Sequence, residues 1–257
     1  MSIEAGHYYT PDGKPAHFVE KKDGSGKRPT NISDCRKNGW LPSCTTILKI
    51  LDKPALREWI IRQAVHAVTT APDVAGESLD AKIERILSVE KQQDEESQIA
   101  RDRGTDLHAA MEAYFTGQEV REDLRPWIAP AALSVAAMGV NPICESILVG
   151  DGYAGMCDLI LEGPANHWIL DFKSTKKLPT KGAYPEAVLQ CSAYAAAYHR
   201  MKLPSKPIRT ANVYISTVDQ GKFVICEHDS DWQKCYNSGF HPLLQHWQWS
   251  NSYTPAQ

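Results

Sequence analysis

Apolar positions along the chain fall into two rhythms, each predicting a kind of element. In "LPSCTTILKILDKPALREWIIRQAVHAV", Leu56, Trp59, Ile60 and Ala64 recur at helical spacing after Pro54, and Ser43 or Thr45 can cap a shorter helix before it. A charged segment from Leu79 to Gln98 continues into "IARDRGTDLHAAMEAYFTG", where Leu107, Met111 and Tyr114 form a stripe and Gly117 supplies a stop. Gly104 stands inside this run. A glycine in a helix interior costs about 1 kcal/mol relative to alanine, so it predicts either a new helix start or the close approach of another group. After a helix over Leu124 to Met138 the rhythm changes to β-rich runs: Ile143 to Val149, Tyr153 to Leu161 and Trp168 to Phe172. Asp151-Gly152 and Gly163-Pro164 with Asn166 provide turns, predicting a meander. Pro185 then opens an alanine-rich helix where proline is tolerated, and Ala211 to Thr217 returns as a strand. Lys222 to Cys226 reads as an extra strand before a closing helix, in a tail carrying Trp232, Trp247 and Trp249. Residues 1 to about 40, rich in Gly, Pro, Lys and Asp, read as short strands and loops. The order helix, three strands, helix, strand predicts an α/β fold. Its expected division is 1–100 as an N-terminal strand, loop and helical extension, and 101–257 as the core with a C-terminal extension.

Composition narrows this little. The 257 residues are 42% hydrophobic and 23% charged, ordinary for a globular chain with a sizeable core. No run of eighteen apolar residues occurs and "MSIEAGHYYTPDGK" lacks a signal-peptide pattern, so a soluble, cytoplasmic protein without a membrane partner is expected. Seven cysteines without CxxC spacing fit reduced thiols better than a disulfide framework or a zinc site, and Cys157 and Cys191 read as core fillers. A net charge of −3 gives no global polyanion-binding signature. Locally the balance differs: Lys173, Lys176, Lys177 and Lys181 follow one another with no acid between them. A solvated face explains such a run as well as a binding site does.

The chemistry concentrates in "DLILEGPANHWILDFKSTKK". A strand that should be buried carries Asp171 in its interior, and Lys173 shares its face because strand side chains alternate. Asp158 lies on the preceding strand, so a meander brings the two carboxylates together. Such a pair suits a hard divalent cation held through oxygen, with Lys173 to hold an attacking water or offset phosphate charge. A partly exposed ion pair at a strand end is the plainer reading of Asp171 and Lys173. His108 and Glu112 share a helix face, as do Gln190 and Tyr194. Read alone, these are also a packed or surface histidine, a surface amide and a core ring.

Taken together, "GTDLHAAMEAYFTG", "GYAGMCDLI", "WILDFKST" and "LQCSAYAAAYH" resemble, in the same order, the motifs of the RecB-like exonuclease branch of the PD-(D/E)XK nuclease superfamily. The resemblance covers roughly Arg103 to Thr217. It implies a restriction-endonuclease-like αβββαβ core, a mixed central sheet flanked by helices. "LPSCTTILKILDKPALREWI" is also similar to the N-terminal segment of phage and mitochondrial genome-maintenance members. Carried over, the resemblance implies His108, Asp158 and Asp171 as metal ligands with the Phe172 carbonyl, and Lys173 as the catalytic lysine. Gln190 and Tyr194 match an element that helps position nucleic acid and the active site. Glu112 and Glu145 are reserve carboxylates behind the site.

The implied activity is Mg²⁺- or Mn²⁺-dependent hydrolysis of DNA phosphodiester bonds at ends, in recombination, repair or replication-linked processing, in a bacterial or phage-infected cell. Some relatives hold an iron-sulfur cluster with three cysteines after the core; here only Cys226 and Cys235 follow the core strands, so no cluster is expected. Lys176, Lys177 and Lys181 would hold backbone phosphates, and Trp127 or aromatic residues of the N-terminal segment would stack on unpaired bases. No GxxxxGK[ST] motif is present, so any unwinding belongs to a partner; a recombination or single-strand-binding protein is the partner class in view. An endonuclease, or a nucleic-acid-binding subunit that does not use its site, stays open as an alternative.

Overall fold

In the computed structural model we describe residues 7–228 and 231–255, leaving aside the side chains of 55–56 and 87–101. In chain order the elements are β1 (Tyr8–Tyr9), β2 (Phe18–Glu20), β3 (Lys27–Pro29), α1 (Ile32–Asn38), β4 (Leu41–Pro42) and α2 (Cys44–Leu48). Then come α3 (Pro54–Thr70), α4 (Leu79–Phe115), α5 (Arg125–Ala136), β5 (Val140–Val149), β6 (Ala154–Glu162) and β7 (His167–Thr175). The chain continues with α6 (Pro185–Lys202), β8 (Ile208–Ser216), β9 (Phe223–Glu227), α7 (Trp232–Cys235), a π-helical stretch over Tyr236–Phe240, and α8 (His241–Ser250).

Two compact units divide the chain: Met1–Ile50 with Asp106–Gln257, and Leu51–Thr105. This division differs from a cut near residue 100, because the N-terminal fifty residues belong with the sheet. Their tie is visible at Ser43, which caps α2 by accepting from the Thr46 N–H and bridges to Ala154 of β6. In the smaller unit, α3 starts at Pro54, and α4 starts at Leu79 and runs through Gly104 without a break. The larger unit contains the rest of α4, which ends before Gly117 at a φ of 70°.

The larger unit is mixed α/β, with a five-stranded mixed sheet flanked by helices, in the order β5-β6-β7-β8-β9. β5, β6 and β7 form the antiparallel meander, whose first turn places Gly152 at a φ of 79°. β8 pairs parallel to β7 after the α6 crossover, and β9 returns antiparallel to β8. Strand alternation then sorts the side chains. Leu159, Leu161, Trp168, Leu170, Phe172, Ala211, Val213 and Ile215 pack into one core with Leu107 and Met111 of α4 and Ile128 and Val135 of α5. Fully burying a leucine, isoleucine or methionine side chain contributes about 1.5–3 kcal/mol, so this layer fixes which face each strand turns inward. The alternate residues, Asp171 and Asn212 among them, turn to the opposite face, where α6 lies close behind small buried residues: Ala187, Cys191, Ala193, Ala195 and Ala197.

Two elements were not expected. The N-terminal region holds α1, whose Asn31 accepts from the Ser33 and Asp34 N–H groups while Asp34 accepts from the Asn31 N–H, a reciprocal cap. The expected closing helix is present as a continuous helical run over 232–250, but with a π-helical stretch at Tyr236–Phe240 between α7 and α8. No helix among the described residues is long and apolar enough to cross a membrane. None of the seven cysteines forms a disulfide, and Cys157 and Cys191 are buried as core fillers.

Candidate functional site

β6 and β7 pair as far as Leu159 opposite Leu170, one step short of Asp158 and Asp171. There the ladder stops, and the Phe172 N–H donates to Asp158 Oδ2 at 2.6 Å instead. The Asp158 carboxylate therefore turns into the gap between the strands. His108 of α4 reaches the same gap: its Nδ1 lies 3.8 Å from Asp158 Oδ2, too far for a hydrogen bond, and its ring meets the edge of Phe172. Burial lowers the His108 pKa despite the pull of Asp171, so the ring favours its neutral, ligating form. Burial also raises the Asp158 pKa well above the carboxylate range, and the charge of Asp171 pushes it further.

Asp171 is 2% exposed, and three donors converge on it. Gln190 Nε2 donates to Oδ1 at 3.0 Å, while Lys173 Nζ at 2.8 Å and Asn212 Nδ2 at 2.8 Å share Oδ2. Lys173 Nζ also donates to Gln190 Oε1 at 3.1 Å, and Gln190 Nε2 donates to the Tyr194 hydroxyl at 2.8 Å. Burial alone would lower the Lys173 pKa, but the charge and hydrogen bond of Asp171, with the charge of Asp158, outweigh it and hold the amine protonated.

Each expected residue can now be placed. Asp158 and His108 face one another, and Asp171 and Lys173 form an ion pair, with Lys173 still 34% exposed. Gln190 and Tyr194 are buried behind that pair, so they position Asp171 and Lys173 from within and offer no surface for direct contact with nucleic acid. Glu145 and Glu112 lie near each other beside the carboxylates: burial raises the Glu145 pKa, the charge of Glu112 adds to it, and Glu145 in turn acts on Asp158. Glu145 also holds a φ of 48°, a left-handed conformation disfavoured for a side chain inside a strand. Lys176, Lys177 and Lys181 are exposed in the segment joining β7 to α6. Trp127 is half-buried against the α5 core, and Tyr8 and Tyr9 are buried, which removes both tyrosines as stacking platforms; Phe18 is exposed.

A divalent cation fits the chemistry of this donor set. A carboxylate, Asp158, whose charge is opposed by desolvation and by Asp171, a neutral imidazole and two further carboxylates nearby are what an oxygen-loving ion relieves. Among the described residues, however, no three His, Cys, Asp or Glu side chains close into a cage. Asp158 with His108 is the open half of the site, whereas Asp171 is committed to Lys173, Gln190 and Asn212.

Sequence reasoning missed Asn212. The signal was available: like Asp171, it is a polar residue inside an apolar strand run, here flanked by Ala211 and Val213. Gly155, three residues before Asp158 on β6, stands where a Cβ would lie 2.6 Å from the Tyr194 ring, so only glycine lets β6 pass that ring. A surface pocket of about 500 Å³ lies away from the carboxylates, at the start of β8, where His199, Lys206, Arg209, His228 and Trp232 line it.

No protein-family model matches the chain, and no curated protein matches it. Among solved structures it is similar to the crystal structure of SSO0001 at 13% identity, over 49% of this chain and 60% of that one, with a TM-score of 0.27. The chain thus spans under two thirds of that structure's length, a likeness too distant to bear on the site.

Proposed function

We propose that the chain is a metal-dependent nuclease hydrolysing phosphodiester bonds at DNA ends, on a restriction-endonuclease-like αβββαβ core of the RecB-like exonuclease type. The observation that carries the reading is the placement of Asp158 and Asp171 on adjacent strands where the β6–β7 ladder ends, with the Lys173 ammonium 2.8 Å from Asp171. Gln190 tying both to Tyr194 supports it, because a surface ion pair at a strand end needs no such buried backing.

His108, Asp158 and Asp171, with the Phe172 carbonyl, would hold Mg²⁺ or Mn²⁺. Such an ion polarises a phosphate oxygen and supplies a nucleophilic water near neutral pH. The protein's own groups do the rest. Lys173, protonated and partly exposed, offsets charge developing on the phosphate; Gln190 keeps its amine aimed along the strand. The exposed lysines 176, 177 and 181 bind backbone phosphates beside the reacting one.

The test is digestion of end-labelled linear DNA by the wild type, Asp171→Asn and Lys173→Met, with Mg²⁺, Mn²⁺ or EDTA. Stepwise, metal-dependent shortening lost in both variants is the expected result. A wild type that leaves DNA intact with either metal yet binds it would turn the reading to a nucleic-acid-binding subunit, a case favoured by one observation: both Asp171 oxygens already have donors. Closed circular DNA separates the modes, since its cleavage overturns the exonuclease assignment.

A further inference from the structure

The bonds behind Asp171 continue beyond Asn212, and their direction is set by chemistry. A carboxylate only accepts, so Asn212 must turn its NH₂ toward Asp171 Oδ2, at 2.8 Å, and its carbonyl Oδ1 the other way. Oδ1 lies 2.9 Å from His228 Nε2. An oxygen that can only accept requires a proton on that nitrogen. His228 Nδ1 lies 2.9 Å from Thr210 Oγ1, and in the neutral Nε2–H ring it accepts from the threonine hydroxyl. Asn212 and Thr210 are buried, and the His228 N–H donates to the Thr210 carbonyl at 3.0 Å, so backbone and side chain both tie His228 to β8. Apolar side chains at 210 and 212 would fill this core without any need for partners; a buried amide and hydroxyl persist here only because each group has one.

We propose that Thr210, His228 and Asn212 form a positioning chain that fixes the rotamer of the Asp171 carboxylate. His228 touches neither metal nor substrate. It holds the Asn212 carbonyl, which presents the amide that keeps Oδ2 in place while Gln190 holds Oδ1. His228 follows β9, beyond the stretch that carries the nuclease resemblance, so the segment after the core strands supplies part of the site's support. The proposal rests on the nuclease reading insofar as Asp171 meets the metal.

Two measurements test it, and one does not depend on metal. Long-range ¹H–¹⁵N correlation of the imidazole nitrogens should show His228 as the Nε2–H tautomer in the wild type and a mixture in Asn212→Leu; an Nδ1–H tautomer in the wild type overturns the chain. Calorimetric Mn²⁺ titration and DNA-cleavage kinetics then compare wild type, His228→Phe and His228→Gln. Groups hydrogen-bonded behind metal ligands typically account for about 10–100-fold in affinity or activity, so His228→Phe should weaken Mn²⁺ binding about tenfold and lower kcat with KM little changed. His228→Gln places an amide N–H where Nε2–H was and should restore most of the loss. Thr210→Val, nearly isosteric, replaces His228→Phe if the latter does not fold. Full Mn²⁺ affinity in the phenylalanine variant, or a glutamine variant no better than phenylalanine, overturns the positioning role. A wild type that shows the expected tautomer but binds no Mn²⁺ and cuts no DNA defeats the nuclease reading while leaving the chain as a fact of the fold.

Discussion

Gly155→Ala tests how tightly the sheet and α6 are fitted behind the site. An added Cβ would lie 2.6 Å from Tyr194 Cε1 and 3.0 Å from Cys44 Sγ, both closer than side-chain carbons approach. The ring cannot simply swing away: Tyr194 is 3% exposed and its hydroxyl accepts from Gln190 at 2.8 Å. Two effects compete. Losing glycine's freedom in the unfolded chain stabilises by about 0.4–1 kcal/mol, while overpacking a close-fitted core costs about 1–3 kcal/mol. Overpacking wins, leaving a net loss of about 1–2 kcal/mol and a fall in Tm of about 2–8 °C for a chain of roughly this size. Urea and thermal unfolding followed by fluorescence measure this, together with Tyr194→Leu and the double variant. Because the clash needs the ring, the cycle should show about 1 kcal/mol of favourable coupling in the double variant. Gly155→Ala as stable as wild type, or an additive cycle, would refute the fit.

Other outcomes follow from single contacts. Arg28 grips Asp34 through bonds of 2.6 and 2.7 Å, which with the Asn31 N–H holds the carboxyl below its ordinary range. A depressed pKa gives stability that is present above the unfolded value of about 3.9 and lost as pH falls through the folded one; urea midpoints from about pH 6 to 2.5 should lose part of their acid slope in Asp34→Asn. An aromatic disulfide reagent near pH 8 should label at most Cys144 and Cys235 in the native chain, and Cys144 slowly, since burial and then the charge of Glu112 push its thiol up to about 11; fast labelling of any of the other five contradicts their burial. Replacing Lys176, Lys177 and Lys181 by alanine should reduce the slope of log K against log[salt] for DNA by about 0.7–0.9 per lysine that contacts phosphate; an unchanged slope removes them from the interface. Asp171→Asn and Lys173→Met should each lose up to about 3 kcal/mol, and the double variant less than their sum, because breaking a buried pair strands one charge whereas removing both does not; a strictly additive cycle rejects the pair.

The strands, the proline-led starts of α3 and α6 and the Ser43 cap were legible because each is a local property: alternation, a missing N–H, a hydroxyl at a helix end. α1 was missed for a local reason too: its cap pairs Asn31 with Asp34, a weaker signature than Ser or Thr followed by Glu, in a stretch whose glycines and prolines read as loop. Of the two readings of Gly104, the new helix start fails, since one glycine's penalty is small against the length of α4 around it; the glycine is buried within that helix. Within the site, Asp171 and Lys173 came from alternation along one strand, Asp158 from the turn that brings the preceding strand beside it, and the role of His108 from the resemblance of its motif. That Gln190 faces inward rather than to solvent could not, because the apolar pattern of α6 is nearly continuous and marks no outer face around it.

Asn212 shows what spacing lacks. It meets Asp171 only because β7 and β8 pair with Asp171 opposite Asn212; a slip of one residue would set Ala211 or Val213 there and flip every side chain of β8 to the other face. The hydrogen bond from Asn212 to buried Asp171 opposes that slip. The opposite face opposes it further, for there Ala211, Val213 and Ile215 are buried with Trp168, Leu170 and Phe172 against α5, and exposing them would forfeit several kcal/mol of burial. Apolar residues on the face away from the carboxylates thus help determine which polar residue supports Asp171. It follows that a polar substitution at Val213, which touches none of the site's side chains, should disturb Asp171 through register, while the same change on the exposed edge of β9 should not.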